Sequence, residues 1–224
     1  MNLALFDLDH TLLPIDSDYA WGEFTIAIGW RDAAQFKRAN DAFYADYKAG
    51  TLDPHAYLRF ATEAIRLKGA TQSIAAHVQY MRTIIEKHIQ KPALDLVERH
   101  RAAGDTLVLV TATNEFVTRP IAQRLGFAHL IAVELEKGAD NWYTGASKGV
   151  LSFREGKVTR VEQWLAAQGK TWDDVRSSTF YSDSMNDLPL LEKVHTPVAT
   201  NPDDKLRALA TQRGWQILDL WKHD

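Results

Sequence analysis

Residues 5–12 read Leu-Phe-Asp-Leu-Asp-His-Thr-Leu. The apolar run Leu3-Ala4-Leu5-Phe6 leading into the first acid is short enough for a buried strand. It delivers Asp7 to the strand's C-terminal tip, with Asp9 two residues on and Thr11 after that. Open α/β sheets place ligands at such tips. Two carboxylates this close repel each other, so folding alone gives little reason to put them there. A hard cation removes the conflict, and Mg²⁺ is typically held by one or two carboxylates together with phosphate oxygens. Asp7 is then a candidate nucleophile, because a carboxylate can attack phosphorus and form an aspartyl-phosphate. Asp9 is a candidate general acid/base that protonates the leaving oxygen and later deprotonates the hydrolytic water. Thr11 and the backbone N–H groups of the turn are expected to hold the loop and face anionic oxygens. The competing reading is a strand followed by an Asp-rich turn.

Three further segments bear on that choice. Thr106-Leu-Val-Leu-Val-Thr-Ala-Thr113 is a second apolar run ending in a hydroxyl, Thr111, with a helix expected from about Asn114. A helix N-terminus behind a hydroxyl suits an anion, although Thr113 or Asn114 as an ordinary N-cap explains it equally. Gly156-Lys157-Val158 opens a helix expected to run to about Gln168. A Lys at a helix start is electrostatically unfavourable unless an anion sits beside it. Ser178-Thr-Phe-Tyr-Ser-Asp-Ser-Met-Asn-Asp-Leu-Pro-Leu-Leu191 again runs a strand into an acid, Asp183, with Asp187 four residues later. That spacing lets both carboxylates face one point across the first turn of the following helix. The macrodipole alone accounts for Asp187 but not for the apolar run ending at Asp183.

Together the four segments resemble the haloacid dehalogenase superfamily of phosphotransferases, in the right order and over most of the chain. Its Asp-x-Asp-x-Thr-Leu motif is Asp7-Leu8-Asp9-His10-Thr11-Leu12. Its hydroxyl-ended strand is matched by Thr111, its lone Lys by Lys157, and its Gly/Ser-Asp-x-x-x-Asp motif by Ser182-Asp183-Ser184-Met185-Asn186-Asp187. The resemblance implies Asp7 as nucleophile and Asp9 as acid/base. It implies Mg²⁺ on the Asp7 carboxylate, the Asp9 carbonyl and Asp183, with Asp187 orienting a metal-bound water or Lys157. Thr111, the Ala112 N–H and Lys157 would grip the phosphoryl oxygens. Within the superfamily the chain is most similar to the phosphoserine phosphatase-like branch, which inserts a helical cap after the first motif and includes phosphoserine phosphatases and enzymes of histidinol-phosphate hydrolysis. Asn186 stands where that branch has an Asn touching phosphate or metal water. Three departures concern the substrate. Asp16 replaces a Glu that reads the substrate ammonium, Arg59 falls near but not on the position of an Arg that reads the carboxylate, and Thr111-Ala112-Thr113 replaces Ser-Gly-Gly.

The chain has 224 residues, 46% hydrophobic and 25% charged, with a net charge of −3 and no cysteine. This is the composition of an ordinary soluble globular protein. No dense Lys/Arg block supports nucleic-acid or anionic-membrane binding. Thiol catalysis and disulfides are excluded. The apolar N-terminal stretch is broken at Asp7 and has no basic flank, so it reads as neither signal peptide nor membrane span, and a cytoplasmic monomer or homodimer is expected.

About a hundred residues separate Asp7 from Thr111, far more than a crossover needs. Helical spacing over Tyr19–Ile28, Ala33–Lys48, Pro54–Leu67 and Ser73–Lys87, with Gly29, Gly50 and Gly69 at the breaks, predicts a four-helix-bundle-like cap over 16–88. From residue 91 helix and strand alternate, which predicts a doubly wound, mostly parallel, Rossmann-like α/β sheet built from 1–15 and 89–224. Residues Trp142–Phe153 read as a hairpin or loop. Within the cap, Trp21 is a candidate pocket floor and Glu23 a candidate partner for a cationic group, whereas His10, His77 and His88 read as bystanders. The function expected is a Mg²⁺-dependent phosphatase acting on a small phosphomonoester, phosphoserine- or histidinol-phosphate-like. A phosphorylatable receiver-like signalling domain is the alternative; an acid/base two residues after the nucleophile argues against it, because that group speeds loss of the phosphoryl group.

Overall fold

The computed structural model describes residues 1–221. Six parallel strands form one sheet: β1 (Asn2–Phe6), β2 (Thr106–Asn114), β3 (His129–Val133), β6 (Ser177–Ser182), β7 (Thr196–Thr200) and β8 (Gln216–Leu218), in the order β3-β2-β1-β6-β7-β8. The chain fills one side of β1 first and then the other, so the sheet is doubly wound. The reversal lies at the C-terminal ends of β1, β2 and β6, where such sheets leave a crevice. The two short strands β4 (Leu135–Lys137) and β5 (Tyr143–Ser147) form a separate antiparallel hairpin.

Both faces of the sheet are covered, which explains why its strands are near-continuous apolar runs. Neighbouring residues point to opposite sides. Leu3, Leu5, Val108 and Val110 pack beneath α8 (Glu155–Ala166), α9 (Leu188–Leu191) and α10 (Asp204–Arg213). Ala4, Phe6, Leu107 and Leu109 join the opposite core with α6 (Lys91–Ala102) and α7 (Glu115–Arg124).

Between β1 and β2 the chain is helical: α1 (Ser17–Ala27), α2 (Ala33–Ala49), α3 (Pro54–Ala61), α4 (Glu63–Tyr80), a π-helical stretch Met81–Ile85, and the single turn α5 (Glu86–His88). Asp16, Asp32 and Asp53 cap α1, α2 and α3, each accepting backbone N–H groups of the first turn. The expected third helix, Pro54–Leu67, instead ends at Ala61, and Gly69 (φ +72) interrupts α4. The Ile65 carbonyl near that kink is satisfied by Ser73 Oγ at 3.2 Å and Trp142 Nε1 at 2.8 Å. Tertiary partners thus stabilise the break expected at Gly69. Trp21, Phe24, Leu58, Ile65, Tyr80 and Ile85 share one continuous apolar cluster with Leu8, Leu12, Phe116 and Val117, so the helical insertion is packed onto the sheet side of the site. Among the described residues no helix is long and apolar enough to cross a membrane.

Candidate active site

The tips of β1, β2 and β6 and the first turn of α8 converge on one group of side chains. Lys157 is 2% exposed, and its Nζ donates to Asp7 Oδ1 at 2.8 Å and to Asp187 Oδ2 at 2.7 Å. Ser182 Oγ donates to the same Asp187 oxygen at 2.7 Å. A cation at a helix start is here compensated by two carboxylates, one of them delivered from 150 residues away. Burial opposes the Lys157 charge, yet the attraction of Asp187 and Asp7 prevails and raises its pKa.

The acids are not neutralised by that one cation. Burial, partly offset by Lys157 and reinforced by Asp187, raises Asp7 to about 6. Burial, then Asp7 and Asp187, push Asp183 well above its ordinary value. Burial and then Asp16 do the same to Asp9. Several buried carboxylates around one ammonium leave a surplus of negative charge, which suits a divalent cation. Among the described residues no three acidic or histidine side chains cluster as a metal site. Asp7 and Asp183, together with backbone oxygen of the first loop, are the groups that could hold such an ion, and carboxylates of this kind suit Mg²⁺.

The structure alters several expectations from sequence. Asp187 Oδ2 receives both Lys157 Nζ and Ser182 Oγ, so the structure sets this carboxylate beside Lys157. The Asp9 carboxylate is likewise engaged: Ser17 N donates to Oδ1 at 2.7 Å and Thr113 Oγ1 to Oδ2 at 2.8 Å. Only its backbone carbonyl is left to offer a metal. Thr11 is fully buried, and its hydroxyl donates to Asp183 Oδ1 at 3.1 Å while accepting Asp183 N at 3.0 Å. It therefore ties the first loop to the β6 tip. Asn201 secures the same loop through the His10 and Thr11 carbonyls.

Trp21 does not floor a pocket. It is 2% exposed and packed among Phe24, Trp30, His77, Tyr80 and Phe116. Glu23 is exposed, because Ser17, Asp18, Trp21, Phe24 and Thr25 form the inward stripe of α1 and Glu23 falls outside it. Asp16 caps α1 through Oδ1, which receives Asp18 N and Tyr19 N at 2.9 Å each. Arg59 is exposed and close enough to Asp53 to help lower its pKa.

Thr111 is buried and accepts Thr113 N at 3.1 Å, while Ala112 is exposed at the strand tip. Asn186 donates from Nδ2 to the Tyr47 hydroxyl of α2 and accepts at Oδ1 from Arg154 Nε at 3.1 Å. His77, expected to be a packing or surface residue, is buried with Nε2 3.0 Å from the Val117 carbonyl.

Sequence reasoning missed Thr113 and the buried group Asp18–Tyr57–Asn114. Thr113 lies two residues after Thr111 on one strand, hence on the same side; this was the available signal. Asp18 receives Tyr57 OH at Oδ2 (2.7 Å) and Asn114 Nδ2 at Oδ1 (3.1 Å), linking α1 and α3 to the end of β2. Burial and the nearby Asp16 raise its carboxyl from 3.8 to about 6. A raised carboxyl contributes stability below pH 4 that is lost as pH rises through 6. The full shift corresponds to about 3 kcal/mol. Asp18→Asn is neutral throughout, so its melting temperature relative to wild type should be higher at pH 8 than at pH 4. Thermal melts at the two pH values check this; an offset that does not change with pH would show that Asp18 bears no such penalty.

Residues 4–192 match the profile of the haloacid dehalogenase-like hydrolases. The chain is 42% identical over 218 residues to a histidinol-phosphatase of Neisseria meningitidis, covering 97% of this chain and 98% of that one. It is 32% identical over 219 residues to the phosphoserine phosphatase SerB1 of Mycobacterium tuberculosis, covering 96% and 70%. A crystal structure of a Bordetella pertussis protein of unknown function superposes with a TM-score of 0.93 at 48% identity, over 98% and 99% of the two chains. A substrate-bound phosphoserine phosphatase shares the fold at a TM-score of 0.65 and 16% identity, over 97% and 92%. The four motifs at the sheet tips and these relationships lead to one conclusion: the chain belongs to the haloacid dehalogenase-like hydrolases and is a phosphatase.

Proposed function

We propose that this chain is a Mg²⁺-dependent phosphomonoesterase that hydrolyses histidinol phosphate through an aspartyl-phosphate on Asp7, with residues 16–88 acting as its cap. The observation that carries the substrate is the 42% identity to the Neisseria histidinol-phosphatase across nearly the whole of both chains. The cap chemistry agrees. Asp16 and Asp18 bring two carboxylates to the side of the site next to Asp9. The nearby Arg31 directs Nη2 to the Phe60 and Ala61 carbonyls and is held between the Phe36 and Phe60 rings. Two carboxylates here suit a leaving group that carries an ammonium.

In this reading Asp7 and Asp183 hold Mg²⁺ with the Asp9 carbonyl, and the ion supplies charge neutralisation that lets an anionic phosphate approach a carboxylate. Lys157 holds Asp7 in place and offsets part of its charge. Thr111 and the Ala112 N–H bind phosphoryl oxygens. Asp9, held by Ser17 N and Thr113 Oγ1, gives a proton to the leaving oxygen and takes one from water. A cap seated over the site excludes bulk water during both steps.

The test is phosphate release from histidinol phosphate, phosphoserine and an aryl phosphate, with Mg²⁺ and with EDTA. The expected result is metal-dependent release with histidinol phosphate preferred; preference for phosphoserine would overturn the substrate. Asp9→Asn tests the mechanism. Loss of a positioned acid/base costs about 10²–10⁴-fold, and phosphoenzyme should accumulate, as read by acid-quenched labelling. Wild-type behaviour would remove Asp9 from that role.

A further inference from the structure

One cation at this site has no anion of its own. Arg154 stands immediately before α8 with φ +51 and ψ −125, a backbone conformation that side-chain-bearing residues rarely adopt. The segment around it cannot relax easily. A Cβ on Gly156 would lie 2.0 Å from the Leu151 carbonyl oxygen, and Gly156 N is bonded to the Phe153 carbonyl at 2.9 Å. The guanidinium is aimed by two contacts: Nε donates to Asn186 Oδ1 at 3.1 Å, and the group lies 4.9 Å from the centre of the Phe153 ring. Among the described residues its two terminal nitrogens make no hydrogen bond and no ion pair. Arg119, Arg124, Arg207 and Arg213, by contrast, each reach a carboxylate.

The place of this cation matters. Arg154 stands just before the helix that carries Lys157, and its guanidinium is bonded to Asn186, the neighbour of the Asp187 that holds Lys157. Lys157 is already shared between Asp7 and Asp187, so its charge is largely spent before a substrate arrives. A phosphomonoester brings up to two further negative charges. We propose that Arg154 binds the substrate phosphoryl group, its terminal nitrogens donating to non-bridging oxygens while Asn186 holds the guanidinium in register. A planar fork of donors matches phosphate in a way that an ammonium does not. The inference rests on the phosphatase assignment of this site and is independent of which phosphomonoester is the natural substrate. The strained backbone then has a purpose: it presents a long cationic side chain where a glycine would be easier to accommodate.

The experiment is competitive inhibition by inorganic phosphate of aryl phosphate hydrolysis with Mg²⁺ present, for wild type, Arg154→Ala, Arg154→Lys and Arg154→Gly. Arg154→Ala should raise the phosphate inhibition constant at least about tenfold, as expected for loss of a charge-assisted bidentate contact. Arg154→Lys should recover only part of that loss. Arg154→Gly removes the side chain and also the backbone strain, so it should weaken phosphate equally while leaving the melting temperature unchanged or higher. A purely structural role predicts the opposite, a lower melting temperature with phosphate affinity intact, and that result would overturn the inference. So would an effect confined to KM for one substrate with the phosphate constant unchanged, which would place Arg154 on the leaving group. Should the wild type fail to turn over the aryl phosphate, calorimetric binding of inorganic phosphate to wild type and Arg154→Ala gives the same comparison without catalysis; equal affinities there would also overturn it.

Discussion

Asp7→Asn is expected to reduce phosphate release by roughly 10⁴–10⁶-fold, the range seen when a covalent nucleophile or its proton-transfer partner is removed, while leaving the protein folded. The amide oxygen can still accept from Lys157 Nζ, which keeps its second bond to Asp187. What is lost is the charged oxygen that attacks phosphorus in the proposed mechanism. The stability effect should run the other way. Asp7 is a buried carboxylate raised to about 6 by desolvation, with Asp187 adding to the rise and Lys157 offsetting it. Such a group contributes stability below pH 4 that is lost as pH passes 6. At pH 8 the variant, free of that charge, should melt no lower than wild type. Parallel phosphate-release assays and thermal melts check both halves. Substantial remaining turnover would place the nucleophile elsewhere, and a collapsed melt would mean that the lost activity reports folding and not chemistry.

Lys157→Met is expected to cost both activity and stability. Removing one member of a buried ion pair typically destabilises by about 3–5 kcal/mol, because the remaining charges stay buried without compensation. Here two carboxylates lose their shared donor, so a fall in melting temperature of about 10 °C is expected for a chain of this size. The deficit should depend on pH with a definite sign. Without Lys157 the Asp7 carboxyl rises further, so the penalty is greatest when the acid is ionised, near pH 8, and shrinks toward pH 5 as it protonates. Melting curves for wild type and variant at those two pH values measure it. A deficit that is the same at both would mean that Lys157 acts by packing its chain against the Phe180 ring, 5.8 Å from its ammonium, and not by compensating charge.

The contrast between these variants follows from where the charges sit. Asp7 is one of several acids competing for a single ammonium, so deleting it relieves repulsion. Lys157 is the ammonium they compete for, so deleting it leaves every acid worse off.

Much of the fold was legible because it depends on local signals. Leu3–Phe6, Leu107–Val110 and Thr179–Ser182 are apolar runs of strand length that end in the residues of the site, and each lies within a strand of one parallel sheet. The helices of the insertion were legible from helical spacing and from the glycines at their breaks, of which Gly50 ends α2 and Gly69 kinks α4. Register, pairing and the meeting of Asp7 with Lys157 could be anticipated only through the family's motif order.

What the sequence by itself determined was the strands that lead into the site, most of the helices and the identity of the acids at the strand tips, since residue type and apolar period act over a few neighbours. What only the tertiary structure decided was the partner of each polar atom. Thr11 meets Asp183 across 172 residues, Thr113 meets Asp9 across 104, and Asn114 meets Asp18 across 96. Those pairings brace the first loop through Thr11, set Asp187 against Lys157, and put Trp21 in the core instead of a pocket floor. The reason is physical: a buried donor or acceptor must be satisfied, and which atom satisfies it is set by the packing of distant segments, for which no local pattern in the chain carries a signal.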